Sequence, residues 1–412
     1  MNRVMVTGLG QVSALGSGLD AFAAAVFAGR PAVRRLAEIE APGLADPIGA
    51  AVEGFDPGRW LAARLLPVTS RMALYAHAAT TQALAMARVP REERPRGGVF
   101  LGTGFAAIAE TEQTYRDCFS RPGARPRPGT IPTAMANGAA ALLASEHRLK
   151  GPNLTFSVAC SSATHAIGQA FRLLRAGDAE LMVAGGADAP LTPIVLAAWA
   201  AMRVLAPAGE DPARACRPFS SGRQGLVLGE GAGMLVLETQ AHAEARGAAP
   251  LAEVVGYGAN ADAGHITHPE PEGVRACLEL ALADARIRPG AVGYVNAHGT
   301  GTLVNDRVEA EALAAVFGAG AARLAVSSTK PVHGHAMGAA GGLEAVATVL
   351  ALREGLLPPT ANLEAPDPEL PRLDFVRGAS RRAAAGVALS SSFAFGGSNA
   401  VLAFAAPAAR QT

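Results

Sequence analysis

Charge is scarce in this 412-residue sequence: Asp, Glu, Lys and Arg make up only 17% of it, and the net charge is +1. So small an imbalance gives no general pull toward nucleic acid or an anionic membrane surface. No apolar run approaches the roughly 20 residues needed to span a bilayer, because Gly, Arg or Asp interrupts the richest ones, so no membrane partner is expected. The opening Met1-Asn2-Arg3-Val4-Met5-Val6-Thr7-Gly8 enters a strand-like run directly and lacks the apolar core of a signal peptide; the expected compartment is the cytoplasm. Cysteine is scarce too. Cys118, Cys160, Cys216 and Cys277 lie far apart, with no CxxC pair and no His spacing suited to zinc. Neither a disulfide framework nor a metal site is expected, and each Cys is either a small buried hydrophobe or a reactive thiol.

What the sequence does have is apolar bulk: half of it is hydrophobic and Gly is abundant, at 47 residues. That composition belongs to a well-buried globular protein, and the length points to two domains or two fused halves. Short Val-rich runs alternate with Ala/Leu-rich segments of helical period, which predicts an α/β layering. The clearest unit starts at Leu154–Ala159, read as a buried strand. A helical stripe of Ala163, Ile167, Ala170, Phe171 and Leu174 follows and ends at Gly177, and Leu181–Gly186 is the next strand. The style repeats later. Val292–Ala297 reads as a strand ending at His298, and a helix runs from about Val308 to Phe317. Leu324–Ser328 is a strand, Gly338–Gly342 opens a helix, and Val387–Ser390 with Ala400–Phe404 form a closing strand pair. The link falls at Ala241–Pro250, dividing the chain into residues 1–250 and 251–412. Arg121–Gly129 reads as an exposed loop.

Chemistry concentrates at three places. Cys160 stands on a strand-to-helix turn, where helix-end N–H groups favour a thiolate and can hold a developing oxyanion. By itself, such a Cys beside an Ala-rich helix is more often a packed core residue. His298 ends a strand and is followed by Gly299-Thr300-Gly301-Thr302, a loop read as flexible with two hydroxyls. His335 sits in Lys330-Pro331-Val332-His333-Gly334-His335, just before a helix. Two histidines in Gly-rich loops after strands, in a chain with an elbow Cys, point to donors converging on one carbonyl. Gly8-Leu9-Gly10 and Gly102-Thr103-Gly104 lack the full dinucleotide-binding context and read as turns or close packing.

Four segments in order carry a resemblance: Val158-Ala159-Cys160-Ser161-Ser162, Asn296-Ala297-His298-Gly299-Thr300-Gly301-Thr302, Ser328-Thr329-Lys330 with Gly334-His335, and Phe393-Ala394-Phe395-Gly396-Gly397-Ser398-Asn399. The chain resembles the elongating type II β-ketoacyl-[acyl-carrier-protein] synthases, the ketosynthases of the thiolase superfamily. The resemblance implies an α/β thiolase fold, with two similar βαβαβαββ halves in a five-layered αβαβα arrangement. Cys160 would take an acyl chain as a thioester, and malonyl-carrier protein would lose CO₂ and condense with it. His298 and His335 would donate to the enolate oxygen, and Lys330 with Glu344 would order the His335 loop. Backbone N–H groups of Cys160 and Phe395 would form the second oxyanion site; Phe395 would gate the acyl pocket, with Phe393 beside it as a supporting residue. Thr300 and Thr302 would hold the phosphopantetheine arm of an acyl carrier protein, so no cofactor of its own is implied. Asp306 and Glu309 match a structural acidic pair. The implied assembly is a homodimer, or a heterodimer with a chain-length-factor-like subunit in which this chain, having Cys160, is the active member.

Departures from the family pattern count against ordinary membrane fatty acids as the product and leave two expectations, fatty acid biosynthesis or a specialised polyene or polyketide pathway. Asn305 precedes Asp306 where Gly is commoner, and Pro331-Val332-His333 replaces smaller and hydroxyl residues. Arg223-Gln224-Gly225-Leu226 stands where Asp, Gly and an aromatic are usual, and His268 replaces a common Ser. Arg59, Arg64, Arg71 and Arg203 are candidates for a basic patch meeting an acidic carrier protein.

Overall fold

The structure is a computed structural model that describes residues 1–407. Its first half runs β1 (Val4–Ser13), α1 (Arg71–Ala87), β2 (Gly98–Gly102), α2 (Gly138–His147), β3 (Asn153–Phe156), α3 (Ser162–Ala176), β4 (Leu181–Asp188) and β5 (Gly231–Thr239). The second half repeats that order: β6 (Ala252–Ala261), α4 (Pro271–Ala285), β7 (Val292–Asn296), α5 (Leu303–Phe317), β8 (Ala325–Ser327), α6 (Ala340–Glu354), then β10 (Val387–Ala394) and β11 (Ser398–Ala405). Among the short extra strands, β9 (Asp374–Phe375) pairs in parallel with β8.

The strand orders match as well. In the first half it is β3-β2-β4-β5-β1 and in the second β8-β7-β10-β11-β6, with the same parallel and antiparallel neighbours. Where β1 and β6 meet they pair antiparallel, Val4 opposite Val254, so the two sheets join edge to edge. This is a thiolase fold. Helices α1 and α2 cover one outer face, α4 and α5 the other, and α3 and α6 fill the space between the sheets.

Side-chain size explains the layers. Helix α6 is buried at every position from Ala340 to Leu352, so it has no face for water and belongs in the middle. Helix α3 buries the predicted stripe of Ala163, Ile167, Ala170, Phe171 and Leu174 and stops at Gly177, whose φ of 92° is left-handed. Gly10 of β1 lies against α1 so closely that a Cβ would come within 1.9 Å of the Ala79 carbonyl oxygen. The early glycines therefore serve close packing.

Two expectations need correction. The segment at Leu154 is expected to be a buried strand, yet among the described residues β3 pairs only with β2, and Leu154 is 53% exposed on that edge. Helix α5 begins at Leu303, five residues before the expected start, because the Thr302 hydroxyl caps it by accepting the Asn305 N–H at 3.4 Å. Leu303 and Val304 face outward at the start of that helix, so its apolar period is hidden.

One buried pair gives the fold an acid limit. His77 on α1 and His147 on α2 stack with ring centroids 4.7 Å apart, and His77 Nε2 lies 2.9 Å from the Trp60 carbonyl. Burial, then the neighbouring His77, pushes His147 down to about 3. A depressed histidine stabilises the fold fully above its unfolded value near 6.5, and that contribution fades as pH falls through the folded value. Acidification from pH 7 to about pH 5 should therefore cost about 2 kcal/mol through this residue. Thermal melts of His147→Leu are expected to show a shallower acid limb than the wild type; parallel limbs would contradict this.

Candidate active site

The repeat places the key side chains at matching positions. Cys160 lies between β3 and α3, and His335 lies between β8 and α6, at the corresponding turn of the second half. His298 follows β7 just as Thr103 follows β2. The two halves thus point their strand ends at one place.

At the first turn, Ala159 has a φ of 50°, a left-handed conformation that costs a non-glycine residue energy and here turns the chain into a short 3₁₀ segment. The Ser162 hydroxyl braces it, accepting the Val158 N–H at 2.9 Å and lying 2.7 Å from the Ala159 carbonyl. Cys160 is buried, and burial pushes its thiol up to about 12, while Lys330 and its own backbone N–H pull the other way. Desolvation thus opposes the expected thiolate-favouring effect of the helix end.

The loop after β7, expected to be flexible, is pinned by two buried carboxylates. Glu309 accepts the N–H groups of His298 (2.7 Å) and Gly299 (2.8 Å), and burial raises its carboxyl to about 7. Asp306 accepts from Thr300 (3.1 Å), Gly301 (3.2 Å) and Phe219 (2.8 Å). Lys330 is buried behind His298. Its ammonium pairs with Glu344, donates to the His298 carbonyl and lies 3.2 Å from His298 Nδ1. An ammonium carries only donors, so Nδ1 must accept and the ring proton sits on Nε2.

His335 reaches the same tautomer by another route. Its Nδ1 accepts the Met337 N–H at 3.3 Å, which again leaves the proton on Nε2. Its backbone is held on both sides: its N–H donates to the Val227 carbonyl at 2.7 Å and its carbonyl accepts the Gly229 N–H at 2.9 Å. The two rings meet edge to face, centroids 5.4 Å apart. Burial first, then Lys330, holds both imidazoles well below their ordinary value, so both are neutral. His333, by contrast, is a satisfied core residue, with its ring nitrogens 2.8 Å from the Gly334 carbonyl and 3.0 Å from the Thr329 hydroxyl.

Cys160, His298 and His335 line one pocket that also takes in Thr300, Thr302, Phe393 and Phe395. The Thr300 and Thr302 hydroxyls are 2.9 Å apart. Phe395 stacks on Trp199 at 5.6 Å, and Phe393 sets its ring against His298 at 6.1 Å. Lys330 and Glu344 stand behind the lining. Of the departures, Leu226, Asn305 and His268 line the pocket, whereas Arg223 is a buried clamp on Asp367 (2.6 Å) and the Ser220 carbonyl (2.9 Å). Arg71 pairs with Glu230 at 2.6 Å while its side chain stays half-exposed; Arg59, Arg64 and Arg203 are exposed as well.

Some contributors were not foreseen. Trp199 and the residues around His268 (His265, Ile266, Thr267 and Pro269) line the pocket from afar in sequence. Asp188, fully buried, accepts from Thr103 Oγ1 (2.7 Å), Gly104 N (2.7 Å) and Gly338 N (2.6 Å), tying the β2 loop to the His335 loop. Its sequence signal was a lone carboxylate closing the apolar run of β4.

Comparison with known proteins gives the family. Residues 1–243 match the N-terminal domain of beta-ketoacyl synthase and residues 251–364 its C-terminal domain. Nodulation protein E of Rhizobium meliloti (strain 1021) is 43% identical over 404 residues, 98% of each chain. The 3-oxoacyl-[acyl-carrier-protein] synthase 2 of Coxiella burnetii is 39% identical over 97% of each chain. The solved ishigamide ketosynthase/chain length factor superposes with a TM-score of 0.92 at 32% identity, covering 98% of this chain and 99% of that one. The chain belongs to the beta-ketoacyl synthase family. It is an acyltransferase of the ketosynthase type.

Proposed function

We propose that this chain makes a 3-oxoacyl-carrier protein by condensing malonyl-carrier protein with an acyl chain held as a thioester on Cys160. The observation that carries the reading is the pair of neutral imidazoles, both presenting Nε2–H, in the pocket that holds a buried thiol. In the first step Cys160 Sγ attacks the acyl thioester on the carrier's phosphopantetheine, and the pantetheine sulfur leaves and takes the proton. In the second, the malonyl C–CO₂ bond breaks and its electrons form an enolate, whose oxygen accepts from His298 and His335. The enolate carbon then attacks the Cys160 thioester, the tetrahedral intermediate collapses, and Sγ departs as a thiolate that takes one proton from solvent and so restores the thiol. Backbone N–H groups of Cys160 and Phe395 hold the oxyanion on the acyl carbon. Neutral donors suit this task, since neither step needs a general base of the protease kind. Incubating the enzyme with octanoyl- and malonyl-carrier protein should give one CO₂ and one chain longer by two carbons per turnover. Decarboxylation with no longer chain would argue against it.

In this reading Lys330 fixes the His298 tautomer, and Glu344 balances the buried charge. Phe393 supports His298 and Phe395 gates the pocket. Thr300 and Thr302 hold the phosphopantetheine arm at the entrance, and no cofactor bound by the chain itself is invoked. Thr302→Val, which keeps the shape but loses the hydroxyl, is expected to raise KM for the carrier substrate roughly tenfold, the cost of about one hydrogen bond, with kcat little changed. A fall in kcat at constant KM would place that hydroxyl elsewhere.

The assembly belongs to the same reading. Strand β3 leaves a free sheet edge with Leu154 exposed, a feature that soluble proteins usually cover. A second copy, or a chain-length-factor-like partner, would cover it, so the chain alone should run at twice its 41.7 kDa mass if it forms a homodimer. Residues 1–250 form the nucleophile-bearing half and 251–412 the histidine-bearing half, a division supported by the two family matches. No helix among the described residues is long and apolar enough to cross a membrane; we place the enzyme in the cytoplasm. Leu226 in the pocket wall, where an aromatic is usual, supports a specialised acyl chain, which a panel of acyl-carrier proteins of different lengths would identify.

A further inference from the structure

Glu230 is fully buried and lies outside the pocket, yet its carboxylate gathers unrelated elements. Its Oε1 accepts the Val52 N–H at 2.9 Å, Arg71 Nη2 at 2.6 Å and the Tyr75 hydroxyl at 3.3 Å. Arg71 is itself bonded to Tyr75. The carboxylate thus bolts residues 227–230 to the start of α1 and to the segment at Ala50–Val52.

Residues 227–230 are also what holds His335. The Val227 carbonyl and Gly229 N–H grip its backbone, and Leu228 and His335 pair as a parallel bridge. On the other side, Ala50 N–H donates to the Leu228 carbonyl at 2.9 Å, and the Glu230 N–H donates to the Ala50 carbonyl at 3.3 Å. The packing leaves no slack: a Cβ on Gly229 would come within 2.4 Å of the His333 carbonyl oxygen, and one on Gly334 within 2.8 Å of the Gly229 Cα. A displacement of residues 227–230 must move His335 with it. Cys160 shares no hydrogen bond with this ladder; its turn is braced by Ser162 and Thr103.

We propose that Glu230 is a positioning residue for His335, serving the decarboxylation and condensation step and not the loading of Cys160. The inference rests on the role given to His335 above. Misplacing a reacting group by about 1 Å can cost on the order of 100-fold in rate. Glu230→Ala removes the bolt, and Arg71→Met, altered at a half-exposed side chain, loosens it with less danger to folding. Glu230→Gln keeps the Oε1 acceptor and is the rescue variant.

The test separates the two steps. Octanoyl-carrier protein first loads Cys160, followed by intact mass; malonyl-carrier protein is then added and the loss of acyl-enzyme is timed. In Glu230→Ala and Arg71→Met the loading rate should stay within about twofold of wild type, while consumption by malonyl-carrier protein falls roughly tenfold or more, with Glu230→Gln restoring most of it. Equal slowing of both steps in Arg71→Met, or normal consumption in a folded Glu230→Ala, would overturn the inference. His335→Ala serves as control: if it consumes acyl-enzyme normally, the role of His335 fails. If it does not and the Glu230 variants do, only the positioning inference fails.

Discussion

Cys160→Ala is expected to abolish acyl-enzyme formation and to lower condensation by on the order of 10⁴-fold or more, the scale seen when a covalent nucleophile is removed. The other three cysteines offer no substitute. Burial pushes Cys216 up to about 12 and Cys277 higher still, and neither lines the pocket. Cys118 lies on a helix, Ile108–Ser120, that contributes nothing to that lining. Cys160 is buried beside Trp199, Leu226 and Met337, and because Ala lacks only the one sulfur atom, trimming it should cost little stability. Activity and stability therefore separate: the variant should melt near the wild-type temperature while a chain-elongation assay reads background. Appreciable elongation by the folded variant would mean that the acyl chain never passes through this thiol.

The second large effect lies behind the site. Lys330→Met removes one member of a buried ion pair and leaves Glu344 fully buried, with no other counter-charge paired to it among the described residues. Breaking such a pair typically costs about 3–5 kcal/mol. Glu344 can escape by taking a proton, and burial already raises its carboxyl. A carboxyl with a raised folded value stabilises below its unfolded value and loses that contribution as pH rises. The variant's deficit should therefore widen from about pH 5 to pH 8. Lys330→Met with Glu344→Leu removes both charges and should recover most of the stability, since apolar replacement of a whole buried pair is often neutral. Condensation should remain slow in the double variant, because His298 Nδ1 has lost the donor that fixes its tautomer. Melting curves and elongation rates on the single and double variants check this; recovery of activity together with stability would show the pair to be structural only.

Much of this was legible in the residues. The elbow at Cys160 could be read because a Val-rich run turns into a helical stripe across small residues, and α6 because its apolar residues continue round the helix. The order of His298, Lys330, His335 and Phe395 gave the site its character before any distance was known. Other parts were hidden for physical reasons. Leu154 reads as core because an apolar side chain on a free sheet edge looks the same in sequence as one in a wall. The start of α5 was masked by exposed Leu303 and Val304, which break the amphipathic period while the Thr302 cap sets the boundary. Trp199 and His265–Pro269 join the pocket only through the folding of segments far apart in the chain. A helix end at Cys160 favours a thiolate, while the burial that opposes it could be read only from the fold. Glu230 and Asp188 gave only a weak trace, single carboxylates at the borders of apolar runs.

The central claim is that one sulfur carries the growing chain. Peptide-level mass spectrometry after a short exposure to octanoyl-carrier protein tests it most directly. The account predicts one octanoyl group per chain, on the peptide containing Cys160, which disappears when malonyl-carrier protein is added as the elongated product forms. An acyl group on Cys118, Cys216 or Cys277, or elongation with no acylated Cys160 at any time, would contradict it.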